Sequence, residues 1–545
     1  ASNNWAVAPS RTASKHALLA GDPHLDLTLP SIWYEVHLVV PGTLDVYGVT
    51  IPGAAAIVIG FNRDVAWTFT NTGADVLDYY AEQIDDPAHP TKYRVDGAWR
   101  PLEQRVERYR DARGGLVATD TLYFTHRGPM RHVRGRWLSM RWTVLEGGRE
   151  INAFHDAAHA RSARELEDLM AASYLAPAQN MLAADRGGHI VIRSTGRFPV
   201  RAGDGDGATV RDGTLSASDW TGAVPVERYP QSFDPAQGFL ASANQQPIDP
   251  AGSHDWWGGS YDPWRAMRIN TLLRADSSVT PDAMRRYQTD PGSERANFFV
   301  PLFLAAARRA VARGSGASAA SDIAEGARLL GEWDRRYTRE NRRAVLFEAA
   351  LRILTERTWD ELLESNAPGA RRAATPSSDV LAALTRDSTS VWWDDHRTAG
   401  REDRDDLLAE SLGAAVQELR KRLGSPDGIG WRWDHVRFAT VNHLLRLDAL
   451  GVRDIPVQGG TGTLAPSSGT GTHSSSWRMV VELGPDIKAW ATYPGGQSGN
   501  PFSDRYRDRL PQWSAGELSP VRFPASPDAL TPAMRSATLL LRSQR

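Results

Sequence analysis

The chain has 545 residues, 41% hydrophobic and 23% charged, which is ordinary for a globular protein with room for several core-sized units. A formal charge of −2 gives no electrostatic case for nucleic acid or an acidic membrane surface, and no apolar run approaches the length of a membrane-spanning helix. Cysteine is absent, which excludes disulfides, zinc–thiolate sites and a cysteine nucleophile but leaves the compartment open.

The chain opens on Ala1-Ser2-Asn3-Asn4-Trp5, with neither a start methionine nor a signal peptide, and is expected to begin at a processed terminus. Residues up to about 78 read as strands and turns, with β-rich stretches at 32–40, 57–60 and 65–70. Further strands are expected at 122–125, 137–143 and 189–192, and a helix at 163–173 on its Leu166, Leu169, Met170 face. From Thr280 the texture becomes helical: Pro281 starts a helix, and 298–312, 323–337, 342–363 and 405–423 carry helical apolar spacing. After Gly428 strands return. Residues 459–476, rich in Gly, Ser and Thr, read as a mobile loop before a strand pair at 477–483 and 489–493. The fold class is α+β. A sheet core at 2–279 and 426–545 is interrupted by a mainly helical insertion at 280–425.

A serine near a terminus means little by itself. A free α-amino group, however, titrates at about 7.7–8, so a serine at a processed N-terminus carries its own base. The plain alternative for Ser2 is a frayed terminal residue. Plain alternatives exist as well for Asn71 beside Gly73, for Asn244 before Gln245-Gln246-Pro247, and for His24 after Asp22-Pro23: turn or loop residues. Arg265 can be a helix-start arginine in a surface ion pair, and Glu482 an exposed strand residue.

A resemblance gives these residues a second reading. Ser2-Asn3-Asn4-Trp5-Ala6-Val7 is similar to the start of the catalytic subunit in the penicillin acylase family. So are Gly21-Asp22-Pro23-His24, Pro30-Ser31-Ile32-Trp33-Tyr34-Glu35-Val36-His37, Gly60-Phe61-Asn62-Arg63-Asp64-Val65-Ala66-Trp67 and Thr70-Asn71-Thr72-Gly73-Ala74-Asp75. Far downstream, Gly495-Gly496-Gln497-Ser498-Gly499-Asn500-Pro501-Phe502-Ser503 resembles the family's late glycine-rich motif. The regions of Asn180, Asn244 and Arg265 fit between. The helical block matches only in general character.

The resemblance implies an N-terminal-nucleophile hydrolase with an αββα sandwich and a precursor that cuts itself in two, so that a small α subunit is the partner of this chain. It implies hydrolysis of a small-molecule acyl amide through an acyl-enzyme on Ser2, without a catalytic cofactor and in a periplasmic or secreted location. The oxyanion donors it implies are the Asn71 backbone N–H and the Asn244 side-chain amide. His24 would orient Ser2, with Glu482 as its carboxylate partner, and Arg265 would support the asparagine or the substrate. Leu25, Ile59, Phe154 and Gln179 would line the acyl pocket. Two aliphatic residues stand there where the benzylpenicillin type uses aromatics, so the expected acyl chain is aliphatic or otherwise not phenylacetyl; acyl-homoserine lactones, cephalosporins and acylated peptides are candidates. Asp75, the Leu77 carbonyl, Asp78 and Asp255 would hold a structural calcium ion. One departure stands out. Ala1 precedes Ser2, where family members begin at the serine itself. This keeps an unprocessed form, or a catalytically silent binding protein on the same fold, as the alternative. A polysaccharide-binding β protein, suggested by 19 tryptophans, is the third.

Overall fold

The computed structural model describes residues 1–202, 207–249, 258, 261–314, 317–363, 374–467 and 469–541. Two antiparallel sheets face each other at its centre. The first runs in the spatial order Phe239–Ser242, Ser2–Val7, Ala17–Asp26, Arg478–Leu483, Lys488–Thr492, Ser519–Pro520. The second runs Gln231–Phe233, Ile190–Thr195, Gln179–Asp185, Val65–Asn71, Ile59–Asn62, Leu44–Thr50, Tyr34–Val40.

Alternation along the strands decides which side chains meet between the sheets. Ala6, Ala17 and Leu19 join Trp67, Leu182 and Val481 in the inner core. Trp5, Val7, Leu18 and Ala20 turn the other way, onto Ile269, Leu273 and Met284 of two outer helices, Trp264–Ala275 and Pro281–Gln288. On the far side, the Ala163–Ser173 helix covers the Gln179–Asp185 and Ile190–Thr195 strands. The layers are therefore helix, sheet, sheet, helix.

The helical block has its own core, from Ala296 to Trp433, joined by Trp264. Its long Arg404–Leu423 helix is started by a capping box between Asp403 and Asp406 and packs against Glu294–Ala312, Ala317–Gly331 and Ala344–Thr358. Two expectations shift here. The Pro281–Gln288 helix, capped by Thr280, packs on the first sheet rather than in the insertion, because Ala283 and Met284 bury against Leu18 and Val480. The helix expected at 323–337 starts earlier and ends at Gly331.

Residues 459–476 are also not the mobile loop that their composition suggests. Thr463 and Leu464 are fully buried, and the Thr463 hydroxyl bonds to the Gly460 N–H and the Ala465 carbonyl. Small residues here allow the chain to run tightly against Tyr337, Trp433 and Trp264.

The two sheets approach closely at Gly21. A Cβ built on it would lie 2.4 Å from the Thr68 hydroxyl and 2.8 Å from its Cβ. Gly21→Ala is therefore expected to push the sheets apart beside Ser2 and to cost about 1–3 kcal/mol by overpacking. A shift of the urea midpoint at unchanged slope checks this.

Candidate active site

Ser2 starts the first strand, is 6% exposed, and pairs across the sheet with Pro23. With Ala1 attached, its nitrogen is an amide whose N–H donates to Asn244 Oδ1 at 2.5 Å. Its hydroxyl donates to the Ala1 carbonyl at 2.6 Å and accepts from the backbone N–H of His24 at 3.4 Å.

Arg265 gathers the site. Its guanidinium donates to the Ser2 carbonyl and Asn3 Oδ1, both at 2.7 Å, and to Asn244 Oδ1 at 3.1 Å. It sits at the first turn of the Trp264–Ala275 helix and is buried. Burial lowers its own proton affinity, and the same burial, followed by the Arg265 charge, lowers that of the Ala1 α-amine.

Asn244 follows the edge strand Phe239–Ser242 with a positive φ of 64°. Its side-chain N–H donates to the backbone carbonyl of Asn71 at 2.8 Å. An amide group has two N–H bonds, so one stays available beside Ser2. The Asn71 side chain accepts from Gln179 at 2.8 Å. Ser2, Asn71, Gln179, Asn244 and Arg265 thus form one connected group from distant parts of the sequence.

His24 departs from expectation. Ser2 and Pro23 share one face of the sheet, while Asn3 and Asp22 share the other, and His24 follows Asp22 by two residues. Its imidazole therefore lies on the outer face, where Nε2 is 3.2 Å from Asp22 and 3.4 Å from the Asn3 amide. Only its backbone reaches the Ser2 hydroxyl. The carboxylate partner is Asp22, not Glu482. Glu482 sits opposite Leu18, four β-bridge positions from the Asp22 level, and its carboxylate lies 3.5 Å from Lys488. Asp22-Pro23-His24 reads from the sequence as an extended or turn stretch, and the structure takes the extended form. Read as strand, the two-residue spacing would have paired Asp22 with His24.

Leu25, Ile59 and Phe154 come together in or against the inner core, and Phe154 packs edge-on to Phe69 and Tyr174 with ring centroids 5.6 Å away in each case. Gln179 lies on the neighbouring strand beside Asn71.

The calcium expectation meets a different cation. Arg201 Nε lies 2.9 Å from Asp78, which also accepts from Trp220, and Arg201 Nη2 donates to the Asp75 carbonyl at 3.0 Å and lies 3.4 Å from its carboxylate. Two of the residues expected to hold calcium, Asp75 and Asp78, are thus paired with a buried guanidinium. Asp255 lies outside the described residues.

Residues 1–527 match the family model described as penicillin amidase. The chain belongs to the penicillin amidase family. The acyl-homoserine lactone acylase QuiP of Pseudomonas aeruginosa is 30% identical over 97% of this chain and 67% of its own length. The penicillin acylase 2 proenzyme of a Pseudomonas species is 26% identical over 96% of this chain and 67% of its own length. The chain thus spans about two thirds of the length of such curated relatives. The solved thermostable penicillin G acylase of Alcaligenes faecalis shares the fold, with a TM-score of 0.74 over 100% of both chains at 19% identity. Membership of the penicillin amidase family places the chain among amide-hydrolysing acylases, whose relatives carry that activity in their names.

The buried imidazole has a measurable signature. Burial is the main cause that lowers the His24 pKa from 6.5 to about 4; the Asp22 carboxylate opposes this, and Arg265 and the terminal amine add to it. Between these values the unfolded chain binds more protons than the folded one. Stability linked to His24 is therefore full above pH 6.5 and falls as the pH drops toward 4, by on the order of 3 kcal/mol. Urea unfolding at several pH values should show this slope in the parent chain and a weaker one in His24→Gln.

Proposed function

We propose that the protein cleaves an acyl group from a linear amide through a covalent acyl-enzyme on Ser2. The observation that supports this best is the convergence on Ser2 of Asn244 and Arg265, with Asn244 tied in turn to Asn71 on the opposite sheet.

With Ser2 as the terminal residue, its nitrogen becomes an amine with a free lone pair. It takes the hydroxyl proton, directly or through one water, as Oγ attacks the substrate carbonyl carbon. The oxyanion accepts hydrogen bonds from the Asn71 N–H and from the free N–H of the Asn244 amide. Collapse breaks the C–N bond, and the Ser2 ammonium returns its proton to the leaving amine. Water then attacks the ester by the same route. Arg265 holds Asn244 and lowers the proton affinity of the amine by its charge, as it does for the Ala1 amine. His24, neutral near pH 7 and held by Asp22, tunes the position of Ser2 through its backbone rather than serving as the base.

The reading includes an acyl chain that is aliphatic or otherwise not phenylacetyl, with acyl-homoserine lactones the first class to try, because several relatives carry that substrate in their names. It includes a small subunit from the same precursor. It also includes a periplasmic or secreted location, for which the family resemblance is the only support; among the described residues no helix is long and apolar enough to cross a membrane.

Two substitutions test the chemistry. Ser2→Ala should fold yet lose hydrolysis of every acyl amide that the parent accepts, and retained activity rejects the nucleophile. Asn244→Ala should lower kcat by about 10²–10³ with KM little changed. A change confined to KM argues for ground-state binding instead.

A further inference from the structure

The two oxyanion donors proposed above stand on different sheets. Asn71 ends the Val65–Asn71 strand of the second sheet, and Asn244 lies two residues beyond the Phe239–Ser242 strand of the first. Their separation is set by whatever ties the sheets together beneath them.

A buried polar chain does this. Ser242 Oγ lies 2.6 Å from Thr70 Oγ1, directly across the gap between the sheets. The Asn180 side-chain amide donates to Thr70 Oγ1 at 3.3 Å and to Ser242 Oγ at 3.4 Å. Ser194 donates to Asn180 Oδ1 at 2.8 Å and closes the chain on the second sheet. The backbone N–H of Asn244 donates to Ser242 Oγ at 3.3 Å. All four side chains are buried.

Ser242 Oγ accepts from the Asn180 amide and the Asn244 N–H, and shares a hydrogen bond with Thr70 in which either hydroxyl can donate. The chain thus delivers an acceptor to one place, the N–H of Asn244. Asn244 adopts the left-handed backbone, which asparagine tolerates better than most side chains, and the Ser242 acceptor helps to hold it there. Gln245 completes the turn, bonding the Ala243 N–H at 2.7 Å and the Ala241 carbonyl at 3.1 Å.

We propose that Ser242 is a positioning residue for the oxyanion site, with Thr70 and Asn180 as its supports across the sandwich. It touches no reacting atom. It holds Asn244 in the left-handed conformation and at the right distance from Asn71. The inference rests on the proposed role of Asn244 and adds residues to which neither the family match nor the sequence pattern assigned a role.

The test uses the processed enzyme with its partner subunit and an acyl amide that the parent hydrolyses. Ser242→Ala should lower kcat about tenfold to a hundredfold, with KM within about twofold. Thr70→Val should act in the same direction, and Thr70→Ser, which restores the hydroxyl, should recover most of the rate. If Ser242 acts through Asn244, the double variant Ser242→Ala/Asn244→Ala should be no slower than Asn244→Ala alone. A purely structural role would lower the melting temperature without this split between kcat and KM, and without the hydroxyl-dependent rescue. An unchanged kcat in Ser242→Ala overturns the proposal. So does a loss that adds fully to that of Asn244→Ala, or a Thr70→Ser enzyme as slow as Thr70→Val. Failure of the acyl-enzyme reading shows separately, as activity that survives Ser2→Ala.

Discussion

The site depends on a buried cation that makes its hydrogen bonds to neutral oxygens. Arg265 has no carboxylate within ion-pair distance among the described residues; its bonds go to a carbonyl and two side-chain amides. A guanidinium taken out of water requires such partners, and removing any of them leaves charge without solvation. Asp262 and Asp22 help only through space. The cation therefore constrains Ser2, Asn3 and Asn244 together. Each must present an oxygen to it, and that requirement fixes the start of the first strand against the turn after Ser242.

Seen from the sheets, the same constraint explains why polar residues occupy what should be apolar space. The inner faces carry Ala, Leu, Val and Trp along most of their length, with Thr, Ser and Asn gathered beneath the oxyanion pair. A lone hydroxyl there would be costly. Thr70, Ser194, Ser242 and Asn180 satisfy one another, so the group is tolerable as a set and poorly tolerant of single losses. His24 and Asp22 form a similar pair on the outer face, where His24 Nδ1 and Asp22 Oδ1 have no hydrogen-bond partner among the described residues.

Much of this was legible from local sequence. The Thr280-Pro281 helix start, the Ala163–Ser173 helix and the strands around Val65, Arg478 and Lys488 came from periodicity and capping, which depend on neighbours in the chain. Ser2, Asn71, Asn244 and Arg265 were named only through a family resemblance, and the structure brings them together. The misreadings have one cause. Partners distant in sequence are set by register and face, which composition does not encode. Glu482 was assigned to His24 without a register to place it. Residues 459–476 were judged by glycine and serine content, when the same small residues serve close packing.

Trp264 and Arg265 are neighbours with opposite obligations. Trp264 enters the core of the helical block and bonds Ser378 through its indole N–H at 2.9 Å, while Arg265 reaches under Ser2. Elsewhere the helical block and the sandwich keep separate cores. Such an arrangement lets the block accumulate substitutions with little effect on the catalytic layers, provided the joints at Trp264 and at Tyr337 and Trp433 against Gly459 and Gly460 are kept. Divergence within the family would then be fastest in the helices and slowest at these joints, and grafting a helical block from one relative onto another would succeed or fail there.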